Sequence, residues 1–413
     1  MPPAIDDRFS PRQRERLRDV FAALPANPFY ARKFAGRGPD DFAELPLTTK
    51  AELVADQAEH PPYGSARSKP LAAFTRLHQS SGTTTGRPLR WLDTPDNWDW
   101  MLGLWRYKFR AMGLMPGEDR FYFPFSFGPF LGFWTAFEAA SRLGFLSVPG
   151  GGLSSAARLK AMFEHRATVV CCTPTYALHL AEVARSEGID LPGSSVRSIV
   201  VAGEPGGSIA TTRQLIEQGW GARVFDHYGL TEVGPIAVEC VENPLGCHVL
   251  EYDYIPEILD PASGTPVAAG EVGELVVTNL GRIDSPLIRY RTGDLVRADT
   301  MVCPCGLSYL RLAGGILGRT DDMIHVRGNN IYPAALEAVI RRFAVAEYRL
   351  TIDRRGSLTE LLVEVEPMPG ASDVAAQVSR AIRDELLFRT EVREVPPGIL
   401  PRFEMKAKRI SHR

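Results

Sequence analysis

The chain has 413 residues, 45% of them apolar, with 47 basic side chains against 49 acidic ones and a formal charge of −2. That length allows two or three domains with sizeable cores, and the balanced charge excludes the basic footprint of a nucleic-acid or anionic-membrane binder. No basic start leads into an apolar segment at the N-terminus, and the most apolar window, 121–137, is short and broken by Pro124, Gly128, Pro129 and Gly132, so a soluble cytoplasmic chain without a leader is expected.

Residues 1–79, rich in Arg, Pro and Ala, are expected to be helical and irregular. Beyond residue 100, short apolar runs alternate with amphipathic ones. They predict a strand over 168–172, a helix over 176–185, a strand over 196–201, a helix over 209–218 and a strand over 223–226. This alternation predicts an α/β fold with a parallel sheet covered by helices. Phe121, Phe123, Phe125 and Phe127 alternate as a strand face ending in a Gly-Pro turn; most of these rings are expected in the core. From 250 to 312, Gly and Pro punctuate runs such as Gly273-Glu274-Leu275-Val276-Val277, which predicts a smaller β-rich subdomain. After Gly318 the order predicted is strand (323–326), helix (333–343), two strands (348–352 and 361–365), helix (371–387) and strand, a compact α+β domain of about 90 residues. The expected division is therefore a large domain over 1–320 and a small one over 321–413.

Five motifs stand in order along the chain. Ser80-Ser81-Gly82-Thr83-Thr84-Thr85-Gly86-Arg87-Pro88 offers hydroxyls, glycines and backbone amides that can wrap a polyphosphate, although such a cluster alone also suits a plain linker. Ala202-Gly203-Glu204-Pro205 and Asp226-His227-Tyr228-Gly229-Leu230-Thr231-Glu232 each follow a predicted strand, where doubly wound folds bind ligands. Tyr290-Arg291-Thr292-Gly293-Asp294 ends an apolar run with a carboxylate that can accept two ribose hydroxyls, and Gly318-Arg319-Thr320-Asp321-Asp322 supplies a cation for phosphate. Last comes Pro401-Arg402 with Lys406. Only seven of the 47 basic residues are lysines, and none lies between Lys160 and Lys406. Lys406 therefore reads as a position that wants a compact ammonium and not a guanidinium.

The order and content of these motifs resemble the adenylate-forming enzymes, and Pro286-Leu287-Ile288-Arg289-Tyr290-Arg291-Thr292-Gly293-Asp294-Leu295 and Tyr228 to Pro235 sharpen the resemblance towards phenylacetate–CoA ligases. It spans roughly residues 75–413. The resemblance implies ATP- and Mg²⁺-dependent activation of an aromatic carboxylic acid to an acyl-adenylate, then transfer to the thiol of CoA or of a carrier-protein pantetheine arm. A non-catalytic nucleotide-binding protein is the rival reading, and the oligomeric state stays open, a homodimer included. The implied roles are phosphate binding by Ser80 to Gly86, adenine packing by Gly203, Glu204 and Pro205, cofactor binding by Asp226, and purine stacking by Tyr228 beside Gly229. Thr231 would contact phosphate, Glu232 would hold Mg²⁺, Asp294 the ribose and Arg319 a phosphate. Asp321 would be a hinge that lets the small domain take two orientations, and Gly328 would meet the pantetheine arm in the second. Lys406 would be the catalytic cation bridging carboxylate and α-phosphate, although the family's usual Ser/Thr and Gly before it are here Phe403 and Met405. Phe125, Phe127, Ala202 and Gly229 are the candidate acyl pocket.

Of the six cysteines, Cys240, Cys303 and Cys305 with His248 make a tetrahedral set for a structural zinc, such as some relatives carry at this place. Cys303-Pro304-Cys305-Gly306 reads as a tight knuckle and Gly246-Cys247-His248 as a turn, with Cys247 an alternative fourth ligand; buried free thiols without metal are the plainer reading. Cys171 and Cys172, in an apolar strand, are expected in the core.

Overall fold

The computed structural model describes residues 9–80, 87–326, 329–353, 360–404 and 407–413, with backbone alone at His325, Asn329 and Asn330. Its largest sheet has eight strands. Five run parallel, in the spatial order Leu146–Pro149, Arg120–Phe123, Val169–Cys172, Ser198–Val201 and Arg223–Leu230. Gly234–Val238, Gly246–Val249 and Arg311–Ala313 continue it antiparallel. The central strands Val-Val-Cys-Cys and Ser-Ile-Val-Val are buried at every position, as expected for strands covered on both faces. Cys171 and Cys172 lie there, in the core as read from the sequence, and burial pushes both thiols up.

The covering helices are delimited by local chemistry. Pro174–Ser186 begins with Pro at its first turn, and the Thr173 hydroxyl accepts from the Tyr176 amide at 3.1 Å, an N-cap. Ala210–Trp220 ends at Gly221, whose left-handed φ of +62° is cheap only for glycine. With Ser155–Glu164 these helices bury Tyr176, Leu180, Ile216 and Trp220 against one sheet face. The N-terminal helices Pro11–Ala23 and Pro28–Phe34 and the helix Pro95–Ala111 pack on the other side.

A four-stranded antiparallel sheet follows, in the order Tyr254–Leu259, Val272–Asn279, Tyr290–Arg297 and Gly318–Arg319. Beyond it a separate hydrophobic core, from Ile324 to Phe388, is enclosed by the helices Pro333–Ile340 and Val374–Leu386. The sheet there runs Glu391–Glu394, Glu360–Pro367, Val345–Asp353 and Ile410–His412. The final strand and Arg409, buried and bonded to Glu347 at 2.6 Å, pin the basic tail to this sheet. No helix among the described residues is long and apolar enough to cross a membrane.

Two local expectations are corrected. The phenylalanine strand stops at Phe123, and 124–127 is irregular; Phe121, Tyr122 and Phe123 are all buried, so alternation marked no face, and Pro124 has no N–H to extend a ladder. Gly246-Cys247-His248 is strand and not turn.

Candidate active site

Ser80 stands at the neck of the candidate phosphate loop. Its amide donates to the Leu89 carbonyl at 2.9 Å, and the Leu89 amide donates to Ser80 Oγ at 3.0 Å. These bonds join the ends of a hairpin loop on the short strands Arg76–Gln79 and Arg90–Asp93. Ser81, Gly82, Thr83, Thr84, Thr85 and Gly86 lie outside the described residues, as do Gly328 and Lys406.

The segments after two neighbouring parallel strands carry the next group. Gly203 has φ +95°. The Glu204 carboxylate accepts the Thr175 amide at 2.9 Å and the Ala407 amide at 2.7 Å; burial pushes it above the usual carboxylate range. Asp226 accepts the Ser208 hydroxyl at 2.5 Å, and burial raises it too. Gly229 marks a register irregularity between the strands Arg223–Leu230 and Gly234–Val238, and a Cβ there would come within 2.6 Å of the Gly234 carbonyl oxygen.

Tyr228, Asp294 and Arg319 form one cluster. The Tyr228 hydroxyl donates to Asp294 Oδ2 at 2.7 Å, and Arg319 NH1 donates to Asp294 Oδ1 at 2.9 Å. Asp294 lies inside the strand Tyr290–Arg297, directly opposite Arg319, and not at a strand end as expected. Arg319 also donates from Nε to Asp321 Oδ1 at 2.8 Å, so the candidate hinge residue is held by the phosphate candidate. At Gly293, φ is +76°, a left-handed conformation that favours glycine.

Glu232 is 4% exposed and accepts the Tyr290 hydroxyl at 2.7 Å, with Lys50 Nζ at 3.8 Å from the same oxygen. Burial raises Tyr290 well above its ordinary value and so keeps it a phenol that donates. The adjacent Thr231 carbonyl accepts from Arg282 NH1 at 3.0 Å. Arg282 in turn grips Asp93 through Nε–Oδ1 and NH2–Oδ2 contacts of 2.6 Å each, both side chains wholly buried. Sequence reasoning missed Lys50, Asp93 and Arg282. The rarity of lysine could have pointed to Lys50; an arginine paired across 189 positions leaves no local signal.

Phe125 and Phe127 pack at 4.8 Å centroid distance, and Phe127 meets Trp134 at 4.5 Å. Phe127, Ala202 and Tyr228 flank the same core as Phe125. An aromatic wall thus stands beside the candidate nucleotide residues.

The sulfur cluster is also brought together. The ligand atoms of Cys240, His248, Cys303 and Cys305 all lie within 4.8 Å of one another. Cys240 Sγ is 3.6 Å from Cys303 Sγ, and Cys305 Sγ is 3.5 Å from His248 Nε2. A tetrahedral zinc spaces its thiolate and imidazole ligands by roughly 3.3–3.8 Å, whereas a disulfide would need about 2 Å. Strand alternation sends the Cys247 side chain to the opposite face, where Sγ reaches the Asp226 carbonyl at 3.7 Å, so His248 and not Cys247 joins the cluster. The knuckle is closed by the Gly306 amide donating to the Cys303 carbonyl at 3.2 Å.

Comparison with known proteins bears on this arrangement. Residues 80–281 match the family model for AMP-binding enzymes, and residues 328–413 match that for the AMP-binding enzyme C-terminal domain. A phenylacetate-coenzyme A ligase of Thermus thermophilus is 33% identical, covering 95% of this chain and 93% of that protein. The Escherichia coli protein of the same name is 34% identical, covering 98% and 94%. A 2-hydroxyisobutyryl-CoA ligase, solved in the postadenylation state with 2-HIB-AMP, superposes with a TM-score of 0.91 at 30% identity, over 100% of this chain and 94% of that one. The same ligase in its thioesterification state with CoA gives only 0.73.

Proposed function

The chain belongs to the AMP-binding enzyme family and is an AMP-forming acid–CoA ligase, and from that premise we propose that its acid is aromatic and that Lys406 carries the first half-reaction. An oxygen of the acid attacks the α-phosphorus of ATP, pyrophosphate leaves, and the acyl-adenylate then passes its acyl group to the thiol of CoA with release of AMP. Asp294, pre-oriented by Tyr228 and Arg319, would receive the ribose hydroxyls, with the Tyr228 ring against the purine. Gly203 and Pro205 would flank the base, while Asp226 holds the Ser208 turn behind it. The loop from Ser80 to Gly86 and Thr231 would bind the phosphates. Glu232 offers a buried carboxylate of the kind that holds Mg²⁺, an ion that would offset charge on the phosphates. Lys406 would offset charge building on the reacting oxygens. Rotation about Asp321 would exchange Lys406 for Gly328 and the pantetheine arm, with the two domains meeting at 320/321. Phe125, Phe127, Ala202 and Gly229 would wall the acyl pocket.

The observation that carries this reading is the Tyr228–Asp294–Arg319 cluster, assembled from three distant motifs at hydrogen-bonding distance. Cys240, His248, Cys303 and Cys305 suit a zinc ion in donor type and spacing; it would tie two segments of the large domain together, without a part in the chemistry.

ATP–pyrophosphate exchange over a panel of benzoic, arylacetic and aminobenzoic acids, with 2-hydroxyisobutyrate as the aliphatic comparison, tests the proposal. Exchange driven by an aromatic acid is expected. Exchange with the aliphatic acid alone would overturn the pocket assignment, and exchange with none would revive the non-catalytic rival. Thioester assays with CoA and with a carrier protein then identify the acceptor.

A further inference from the structure

Three contacts outside the nucleotide cluster join the C-terminal segment to the large lobe, and they bracket Lys406. Arg402 is shared between Glu182 on the helix Pro174–Ser186, at 3.0 Å through both Nε and NH2, and Glu366 at the end of the strand Glu360–Pro367, at 2.6 and 3.1 Å. Two residues before Lys406, Glu404 Oε2 accepts from Arg158 NH1 at 2.9 Å. One residue after it, the Ala407 amide donates to Glu204 Oε2 at 2.7 Å.

The two receiving groups are fixed before the segment arrives. Arg158 is 3% exposed, and its guanidinium is aimed by donation to the Gly150 carbonyl at 2.9 Å and to the Tyr176 hydroxyl at 2.6 Å. Glu204 is anchored by the Thr175 amide at the N-terminus of the helix Pro174–Ser186, where unpaired amides and the helix dipole favour a carboxylate. Its second oxygen takes a backbone N–H, so it reads the position of the chain at Ala407 and not the identity of a side chain. These groups therefore present a preset acceptor and a preset donor to a segment that has to dock and leave.

We propose that Glu204 and Arg158 are positioning residues for the first half-reaction: they clamp the chain on either side of Lys406 and so select the docked lobe orientation, to which we assign acyl-adenylate formation. The proposal rests on the ligase reading and deepens it, and it moves the Glu204 carboxylate from the base to the lobe seam. Because each contact exists only when the segment is docked, removing one shifts the population towards the undocked state by the lost contact energy. Adenylation is then penalised, and thioester formation from a ready-made adenylate is not.

Glu404 is the clean probe, since its side chain is 56% exposed and the fold does not depend on it. Glu404→Ala is expected to lower ATP–pyrophosphate exchange about fivefold, the scale of a half-exposed ion pair. It should leave thioester formation from supplied acyl-adenylate and CoA, and the thermal midpoint, at wild-type values. Glu404→Gln, which keeps an acceptor for Arg158, should retain most exchange. Glu204→Gln, which turns an amide N–H towards one of the two incoming N–H groups, is expected to cost exchange roughly 10- to 100-fold, the scale of a charged hydrogen bond. Tryptic cleavage behind Lys408 should quicken in both variants. Equal loss of both half-reactions, an unchanged exchange rate or an unchanged cleavage rate in Glu404→Ala would overturn the proposal. A wild-type protein without exchange on any acid would sink the ligase reading instead.

Discussion

Arg282→Met tests whether the turn carrying Thr231 and Glu232 is held from behind by a buried charge pair. The substitution keeps much of the side-chain length but removes three donors: two to Asp93 at 2.6 Å and one to the Thr231 carbonyl at 3.0 Å. Asp93 is wholly buried, with His78 Nδ1 at 3.9 Å from its carboxylate. Removing one partner of such a pair leaves an uncompensated charge and costs about 3–5 kcal/mol, so the thermal midpoint should fall by at least about 5 °C. The loss should also depend on pH. In the wild type, burial pulls the Asp93 carboxyl up but Arg282, with His78, outweighs it and holds the group below its ordinary value; that stability is fully present above about pH 4 and is lost only as pH falls through the depressed value. In the variant only His78 is left to oppose burial, the carboxyl rises, and the variant loses stability as pH rises beyond about 4. The gap between the two proteins should therefore widen from about pH 5 to about pH 8 in scanning calorimetry. Asp93→Leu combined with Arg282→Met removes both charges and should recover most of the stability, as replaced buried pairs commonly do, yet exchange activity should stay low because the Thr231 carbonyl still lacks its donor. A gap below about 1 kcal/mol that is flat with pH, or a double variant no more stable than the single one, would refute the reasoning.

Three further outcomes are expected. The purified protein should carry about one zinc per chain by mass-spectrometric metal analysis, and Cys303→Ser should lower both zinc content and thermal midpoint; metal analysis finding no zinc removes that site. Lys406→Ala should cut pyrophosphate exchange by at least ~10²-fold, the scale of one preorganised electrostatic donor, and spare thioester formation from supplied adenylate; equal loss in both steps contradicts the two-orientation scheme. Tyr228→Phe, which removes the hydroxyl that donates to Asp294 Oδ2, should raise KM for ATP several-fold more than it lowers kcat, about 1 kcal/mol of binding, and a pure kcat effect would argue against a role at the nucleotide.

The parts of this molecule legible in the sequence are those written in contiguous residues. The apolar runs of the parallel sheet and the amphipathic runs at 176–185 and 209–218 are local signals, and the structure has each, the latter as the helices Pro174–Ser186 and Ala210–Trp220. The motifs around Tyr228, Asp294 and Arg319 were visible for the same reason, and their meeting at one point supplies what adjacency in sequence could not. Where the sequence misled, local pattern had lost its physical meaning. Alternating phenylalanines mark a strand face only when the other face is wet, and here Tyr122 is as buried as its neighbours. Cys247 and His248 could not be separated while their segment was taken as a turn; once it is a strand, the side-chain period of two sends one to the metal cluster and the other away.

The connections that hold the site had no such handle. Asp93 and Arg282 stand 189 positions apart, Arg158 and Glu404 stand 246, and Glu204 meets Ala407 across 203. Asp93, Arg282, Arg158 and Glu404 each look alone like an ordinary surface charge, the common fate of such side chains, and Ala407 takes part only through its backbone amide. What distinguishes them is the state in which they pair. The Asp93–Arg282 pair is sealed in the large lobe and should persist whichever way the small lobe turns. The Arg158–Glu404 and Glu204–Ala407 contacts cross the seam and exist only in the orientation seen here. Substitutions in the first group should therefore appear as lost stability as well as lost adenylation, and those at Glu404 as lost adenylation alone. One pair of measurements, thermal midpoint and exchange rate, thus sorts a charge that builds the site from a charge that closes it.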